Sequence, residues 1–309
     1  MRNRVEQPEI NSHEQQPNGE GKTYLVSPHE SLFDPRKERI EWWKNAPEKV
    51  KKYKAGVARD NDGNFLYNYP RGSRLIIGDK EKGEDVEVMD TCETPWADAT
   101  VDRAFQELTR KNRPINVLER GFGMGITATR VIDHLAIHGG TYTVIELNKK
   151  DAAYAREEWK NNQELGIERR ARPRGAASNG HRINIEVVEG EAYEETAKLA
   201  EAGRKFDIII SDTYPLTKDE QGVNDLKDLE TLKRCLETDG VFTFFAYFPG
   251  TTAPLELVRK QGDLIYDHFG ENYRVSPARV NPPSDYKYLQ TDTGPVRILP
   301  VVTCWNPRL

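Results

Sequence analysis

The stretch Val117-Leu118-Glu119-Arg120-Gly121-Phe122-Gly123-Met124-Gly125-Ile126-Thr127 has the residue types to hold a bulky polar molecule. Its alternating glycines allow positive φ and remove the Cβ atoms that would keep a ligand off the main chain. The segment after them predicts a helix, whose N-terminus offers free N–H groups. Acids at the ends of later apolar runs extend the set. Glu146-Leu147 closes one run, where a carboxylate accepts hydrogen bonds from both hydroxyls of a ribose. Gly190-Glu191-Ala192-Tyr193 follows another, where it can frame a base or simply start a helix. Asp212 follows Phe206 to Ser211 and supplies a carboxylate at the lip of the same crevice.

These positions share one edge only if the runs are parallel strands. Ile115 to Glu119, Thr141 to Glu146, Ile183 to Glu189, Phe206 to Ser211 and Val241 to Tyr247 predict strands. Amphipathic segments separate them: Ala128 to Leu135, about Asp151 to Glu164, and Leu226 to Leu236, with Asp239-Gly240 as a turn before the fifth strand. A helix over Pro254 to Phe269 and strands near Tyr273 to Ala278 and Arg297 to Thr303 follow. Strands alternating with helices predict an α/β fold, a Rossmann-like and mostly parallel sheet with helices on both faces. Ligands then bind outside the carboxyl ends of the strands. Asp207, at the start of its strand, falls at the other end and is structural. So does the arginine-rich loop Glu168 to Arg182, which reads as a solvated insertion.

Upstream, residues 1–22 are polar and predict a disordered tail. Residues 23–88 predict an N-terminal extension with helical and lid character: Asp34-Pro35 opens a helix carrying Ile40, Trp42 and Trp43, and a lysine run follows as a solvated face. Turns and short β-like pieces lie between Asn61 and Met89, with Tyr67-Asn68-Tyr69 as apolar area for a lid. A helix is expected from about Ala97 to Thr109, within the main domain at 89–309.

The net charge of −5 argues against a general nucleic-acid partner. No apolar run reaches the length of a membrane span, and no signal-peptide core opens the chain, so a cytoplasmic protein is expected. Cys92, Cys235 and Cys304 have neither metal spacing nor a disulfide framework. The histidines form no ligand cluster, and His134 and His138, one helical turn apart, predict packing or surface roles. No metal is expected. A homodimer is compatible with the sequence but not specified by it.

Glu119-x-Gly121-x-Gly123-x-Gly125 resembles the first motif of class I S-adenosylmethionine-dependent methyltransferases. A dinucleotide fingerprint would need its third glycine where Ile126 stands, which disfavours an NAD-dependent oxidoreductase. Further stretches sharpen the resemblance: Glu93-Thr94-Pro95-Trp96, Gly121-Phe122-Gly123-Met124, Phe206-Asp207, Asp212-Thr213-Tyr214-Pro215-Leu216, and Pro282-Pro283-Ser284-Asp285-Tyr286-Lys287-Tyr288. Together they resemble guanidinoacetate N-methyltransferase and the arginine δ-N-methyltransferases, in order from about Val86 to Thr303.

The resemblance implies an antiparallel last strand and S-adenosyl-L-methionine as cofactor, held by Glu119, Gly121, Phe122, Gly123, Gly125, Glu146, Leu147, Glu191, Ala192, Tyr193 and Asp212. It implies a small guanidino substrate bound by Glu93, Trp96, Met124, Asp212, Tyr214, Tyr247 and Phe248. Asp212 is then the base and Glu93 its orienting partner, with exchanged roles as the alternative. Phe248-Pro249-Gly250 departs from the family where the substrate carboxylate is held, and Cys92 replaces a frequent Trp. Arginine, guanidinoacetate or an arginine-derived metabolite precursor are the expected substrates. Protein-arginine methylation is the alternative, lowered by the absence of a double-Glu loop.

Overall fold

The computed structural model describes residues 57–59, 65–69, 72–79, 84–108, 113–160, 183–213, 223–246, 255–280, 290–291, 294–295 and 297–306. The expected tail, the helix around Trp42 and Trp43, the lysine run, the arginine-rich loop and the site residues Tyr214, Tyr247 and Phe248 lie outside them.

The N-terminal extension is β-structured where it is described. Val57–Arg59 (β1), Phe65–Tyr69 (β2), Gly72–Asp79 (β3) and Glu84–Asp90 (β4) form an antiparallel meander in chain order. The short β-like pieces expected between Asn61 and Met89 are found here as strands, where β-branched and aromatic residues stand between turn residues. β4 runs through one 3-10 turn, Thr91–Glu93, into helix α1, Thr94–Glu107. This helix starts three residues earlier than expected. Pro95 stands in its first turn, where its missing N–H costs nothing.

The main sheet has seven strands. Ile115–Arg120 (β5), Gly140–Glu146 (β6), Ile183–Glu189 (β7), Phe206–Ser211 (β8) and Leu236–Phe245 (β9) are parallel to one another. Tyr273–Arg279 (β10) lies at one edge. After the small hairpin Gln290–Thr291 (β11) and Gly294–Pro295 (β12), Ile298–Trp305 (β13) inserts antiparallel between β10 and β9. The order β10-β13-β9-β8-β5-β6-β7 reverses direction at β5 and β8. This is the expected Rossmann-like, mostly parallel sheet with an antiparallel last strand, and its crevice opens at that switch point.

β5, β6 and β8 are buried along nearly their whole length because helices cover both faces. On one face Val117, Tyr142, Val144, Ile208 and Ile210 pack with α1, with Ile126–His138 (α2), and with Lys149–Tyr154 (α3), which passes into a π turn at Ala155–Trp159. On the other, Leu118, Ile145, Ile209 and Phe244 pack with Leu229, Leu232 and Cys235 of a helix at Leu229–Cys235 and with Ile265 and Phe269 of one at Leu255–Phe269. Ala192–Glu201 (α4) precedes these two, which are α5 and α6. Each fully buried Leu, Ile or Phe contributes about 1.5–3 kcal/mol of transfer free energy.

Two expectations are corrected near β9. The helix expected over Leu226 to Leu236 is a 3-10 turn, Asn224–Leu226, followed by the shorter α5. Asp239-Gly240 is not a turn between elements. Leu236 already pairs with Phe206, and the ladder resumes at Val241 opposite Ile208. The residues between form a bulge, stitched by Asn306, whose N–H reaches Gly240 O at 3.2 Å and whose side chain reaches Glu237 O at 3.0 Å.

Candidate active site

The strand ends set the site's floor. Gly121 N donates to Ile145 O (2.9 Å), Gly190 N to Glu146 O (3.0 Å) and Asp212 N to Arg120 O (3.0 Å). The three loops leaving β5, β7 and β8 are thereby held in register at one edge. Gly121 has φ +89°, and a Cβ there would lie 2.3 Å from Asp212 O, so the glycine lets the loop press against the β8 end. Gly125 occupies the N-cap of α2 with φ +74°, where a Cβ would strike the Phe122 ring at 2.7 Å.

Glu146 braces this loop. Its Oε2 accepts from Phe122 N (2.8 Å) and Gly123 N (3.2 Å), and its Oε1 from Asn148 N (2.7 Å). Burial, with Asp151 adding repulsion, pushes its carboxyl up to about 7 against those donors. A carboxylate has about four acceptor sites, so three bonds leave capacity for a ribose hydroxyl. Leu147, next to it, is exposed and offers an apolar surface.

Other predicted residues serve from beneath the loop. The Phe122 ring is buried against Trp159 (centroids 5.3 Å) and Tyr154 (6.1 Å), so only its backbone faces the loop side. Glu119 is buried and accepts from Tyr142 Oη at 2.5 Å. Burial raises it well above the usual carboxylate range, and the Asp212 and Glu146 charges add to this. Met124 is buried. Glu191 accepts from Tyr193 N (2.8 Å) and Glu194 N (2.9 Å), so it caps α4, the second of the two readings open for it. Ala192 opens that helix. Tyr193 donates its hydroxyl to Asn224 O at 2.6 Å.

On the β8 and β9 side, Asp212 follows the last strand residue. Ile208 and Ile210 face α1 and α2, whereas Ile209 and Ser211 face the α5 side. Strand alternation therefore carries Asp212 toward the α1 face. Burial first, then the nearby Asp225, raises its carboxyl to about 7. Glu93 is buried at the N-cap of α1. Trp96, one turn on, is buried with Nε1 donating to Pro300 O (2.9 Å) and its ring edge-on to Phe245 (5.0 Å), so it ties the start of α1 to the carboxyl end of β9. Arg130 of α2 pairs with Asp102 of α1 through two hydrogen bonds (2.8 and 2.9 Å), and His134 adds a third (2.7 Å). The helix bearing Glu93 is thus locked to the helix that starts at the glycine loop. His134 also stacks on Phe105 (4.3 Å), in the packing role expected of it.

Asp207 lies at the opposite end of β8, as expected, accepting from Arg113 and from Asn116 N (2.8 Å). Among the described residues no group of acids, cysteines or histidines could hold a metal ion, and no helix is long and apolar enough to cross a membrane.

Sequence reasoning missed one cluster. Arg120 is fully buried on the side opposite Glu119, with Nη1 2.9 Å from Asp228 Oδ1 and its guanidinium 5.0 Å over the Tyr193 ring. Asp225 Oδ1 accepts from Ser211 Oγ (2.7 Å), Thr213 Oγ1 (2.7 Å) and Thr213 N (3.1 Å). The available signal was a second charged residue, next to Glu119, at the end of the β5 run; its ion-pair partner Asp228 lies 108 positions away.

No family model matches the chain, and no curated protein does. Solved structures resemble it at low identity. Human methyltransferase-like protein 13 in complex with SAH is 14% identical, over 70% of this chain and 82% of that one, with a TM-score of 0.42. A SAM-dependent methyltransferase from Agrobacterium tumefaciens is 15% identical over 87% and 79%, with a TM-score of 0.41. A probable spermidine synthase from Corynebacterium glutamicum is 17% identical over 78% and 79%, with a TM-score of 0.45. All three scores fall below 0.5, so the chemistry is read from this chain's own residues.

Proposed function

We propose that this protein is an S-adenosylmethionine-dependent N-methyltransferase that acts on the guanidino group of a small molecule. The observation that carries the reading is Asp212: a residue at the end of β8 whose backbone packs against the glycine loop at Gly121 and whose carboxyl is raised by burial to about 7. A group of that affinity takes up a proton from a substrate at neutral pH and releases it afterwards.

The residues present fit the cofactor. The tight glycine loop, the braced carboxylate of Glu146 and the exposed Leu147 make a cradle for a nucleoside along the ends of β5 and β6. Ile126, buried as the first residue of α2, fills the place where a dinucleotide site needs glycine, which speaks against NAD. When bound, S-adenosylmethionine supplies an electrophilic methyl group.

A guanidinium is protonated at neutral pH and has no free lone pair on nitrogen. Asp212 accepts bidentate hydrogen bonds from it and takes one proton, leaving a nucleophilic nitrogen. Glu93 holds the remaining N–H groups and keeps positive charge on the nitrogens that do not react. The anchored start of α1 and the braced glycine loop fix acceptor and donor relative to each other, which supplies much of the rate enhancement. The Glu93-Thr94-Pro95-Trp96 and Asp212-Thr213-Tyr214-Pro215 resemblance supports arginine, guanidinoacetate or an arginine-derived precursor as substrate.

The test is incubation with methyl-labelled S-adenosylmethionine and a panel of guanidino compounds, followed by mass spectrometry. Label on one compound, lost in Asp212→Asn, is the expected result. Cofactor binding by calorimetry with no labelled guanidine across the panel would refute the substrate class while retaining the cofactor site.

A further inference from the structure

We propose that Asp225 is the positioning residue of this site: from the opposite face of the sheet it grips both chain neighbours of Asp212 and so sets where the Asp212 carboxylate points. The inference rests on the reading of Asp212 as the group that handles the substrate proton.

Ser211 and Thr213 flank Asp212, and a single oxygen, Asp225 Oδ1, accepts from both hydroxyls and from the Thr213 amide. Asn224 adds a bond from Nδ2 to Thr213 Oγ1 at 3.0 Å, and Tyr193 holds Asn224 in turn. With Asp212 N bound to Arg120 O, every residue from Ser211 to Thr213 is tied down. A carboxylate fixed this way from behind leaves Asp212 free to work on the α1 side.

The pinning alone would need only a neutral acceptor. The cluster is instead charged. Burial raises the Asp225 carboxyl, while the buried guanidinium of Arg120 and the Ser211 and Thr213 donors act the other way and favour its charged form; Arg120 Nε and Nη2 have no hydrogen-bond partner. Burying charges with incomplete pairing is costly. What it delivers here is a negative charge behind Asp212, one of the two causes of that carboxyl's raised proton affinity. The other charged groups around the pair are Glu119 and Arg120 on β5, and Asp228, which pairs with Arg120 before α5. Tyr193 of α4, beneath Arg120, links this cluster to the loop after β7, on the proposed cofactor side.

The experiment uses the full chain labelled with 13C-carboxyl aspartate, the Asp212 signal being assigned by its loss in Asp212→Asn. Asp225→Asn keeps the acceptor oxygen and removes the charge. It is expected to lower the Asp212 titration midpoint by about one unit and to move the acid limb of the kcat profile down with it, while kcat stays within about tenfold. Asp225→Ala removes the grip and is expected to lower kcat about 100-fold with S-adenosylmethionine affinity within about threefold. An unmoved midpoint in Asp225→Asn overturns the proposal, as does a loss of cofactor affinity in parallel with kcat. The titration needs no substrate. If the wild type methylates no guanidine, the functional reading fails, and the midpoint shift still decides for or against Asp225. If Asp225→Ala does not fold, Asp225→Asn decides alone.

Discussion

The two halves of the crevice are built from different materials. Toward β6 and β7 it is made of backbone: glycines with positive φ, amide N–H groups and one carboxylate, Glu146, that binds three of those amides. Toward β8 and β9 it is made of carboxyls, the half-buried Asp212 and the buried Glu93, with Asp225, Asp228 and Arg120 behind the sheet. The first half suits a ligand whose shape and hydroxyls must be matched. The second holds charges at a cost; its Asp212 is raised to about 7, as is Glu146 in the first half, where three amides brace the carboxyl. In the proposed reaction, binding and proton transfer are thus assigned to different parts of the sheet edge, joined where Gly121 touches the Asp212 backbone.

That junction is where the comparison is broken most severely. Gly121→Val is expected to disable both halves, because a Cβ cannot stand 2.3 Å from Asp212 O at φ +89°. Roughly 3 kcal/mol or more of stability should be lost, together with S-adenosylmethionine binding, read by denaturant unfolding and calorimetry. Retained binding would mean the loop does not press on the β8 end.

Asp212→Asn should separate the halves. Methyl transfer is expected to fall about 1000-fold, with cofactor affinity nearly unchanged. The same variant carries a pH signature. In the folded state Asp212 keeps its proton up to about 7, against 3.8 for the unfolded chain. The native state therefore binds more protons between these values, and stability falls as pH rises through that window. Asp212→Asn should then be more stable than wild type above pH 7, by about 1–3 kcal/mol, and equal to it below about pH 4. Thermal unfolding at two pH values checks this, and a variant less stable at high pH would contradict it.

Glu146→Ala is the complementary cut. It leaves three loop amides without their acceptor and should weaken S-adenosylmethionine binding about 10- to 100-fold, by calorimetry, without moving the acid limb set by Asp212. The smallest effect is expected at the far end of the same strand. Asp207→Ala removes the partner of Arg113 and Asn116 N and should cost about 1–2 kcal/mol in urea unfolding. Unchanged cofactor binding would confirm that this end of β8 only supports the sheet.

Much of the first half was readable along the chain. The loop glycines, Glu146 and Leu147 lie within one βαβ unit, where apolar period and glycine spacing are local properties. Glu191 shows the limit: its position was clear, but whether it met a ligand or capped α4 depended on two amides, Tyr193 N and Glu194 N, that no pattern ranks. The bulge in β9 was read as a turn because Asp239-Gly240 has turn chemistry, and the pairing of Leu236 with Phe206 overrode it.

By itself the sequence determined the alternation of strands and helices, the edge at which the acids gather, and the crevice at the switch of strand order. Those follow from hydrophobic period and chain direction, which are written residue by residue. Only the tertiary structure decided which charges face each other: Arg120 with Asp228 across 108 positions, Asp225 with Ser211 and Thr213, Trp96 with Pro300. Such pairs are chosen by the packing of helices on a common sheet and by the cost of leaving a buried polar atom without a partner, and neither is a property of any single stretch of chain.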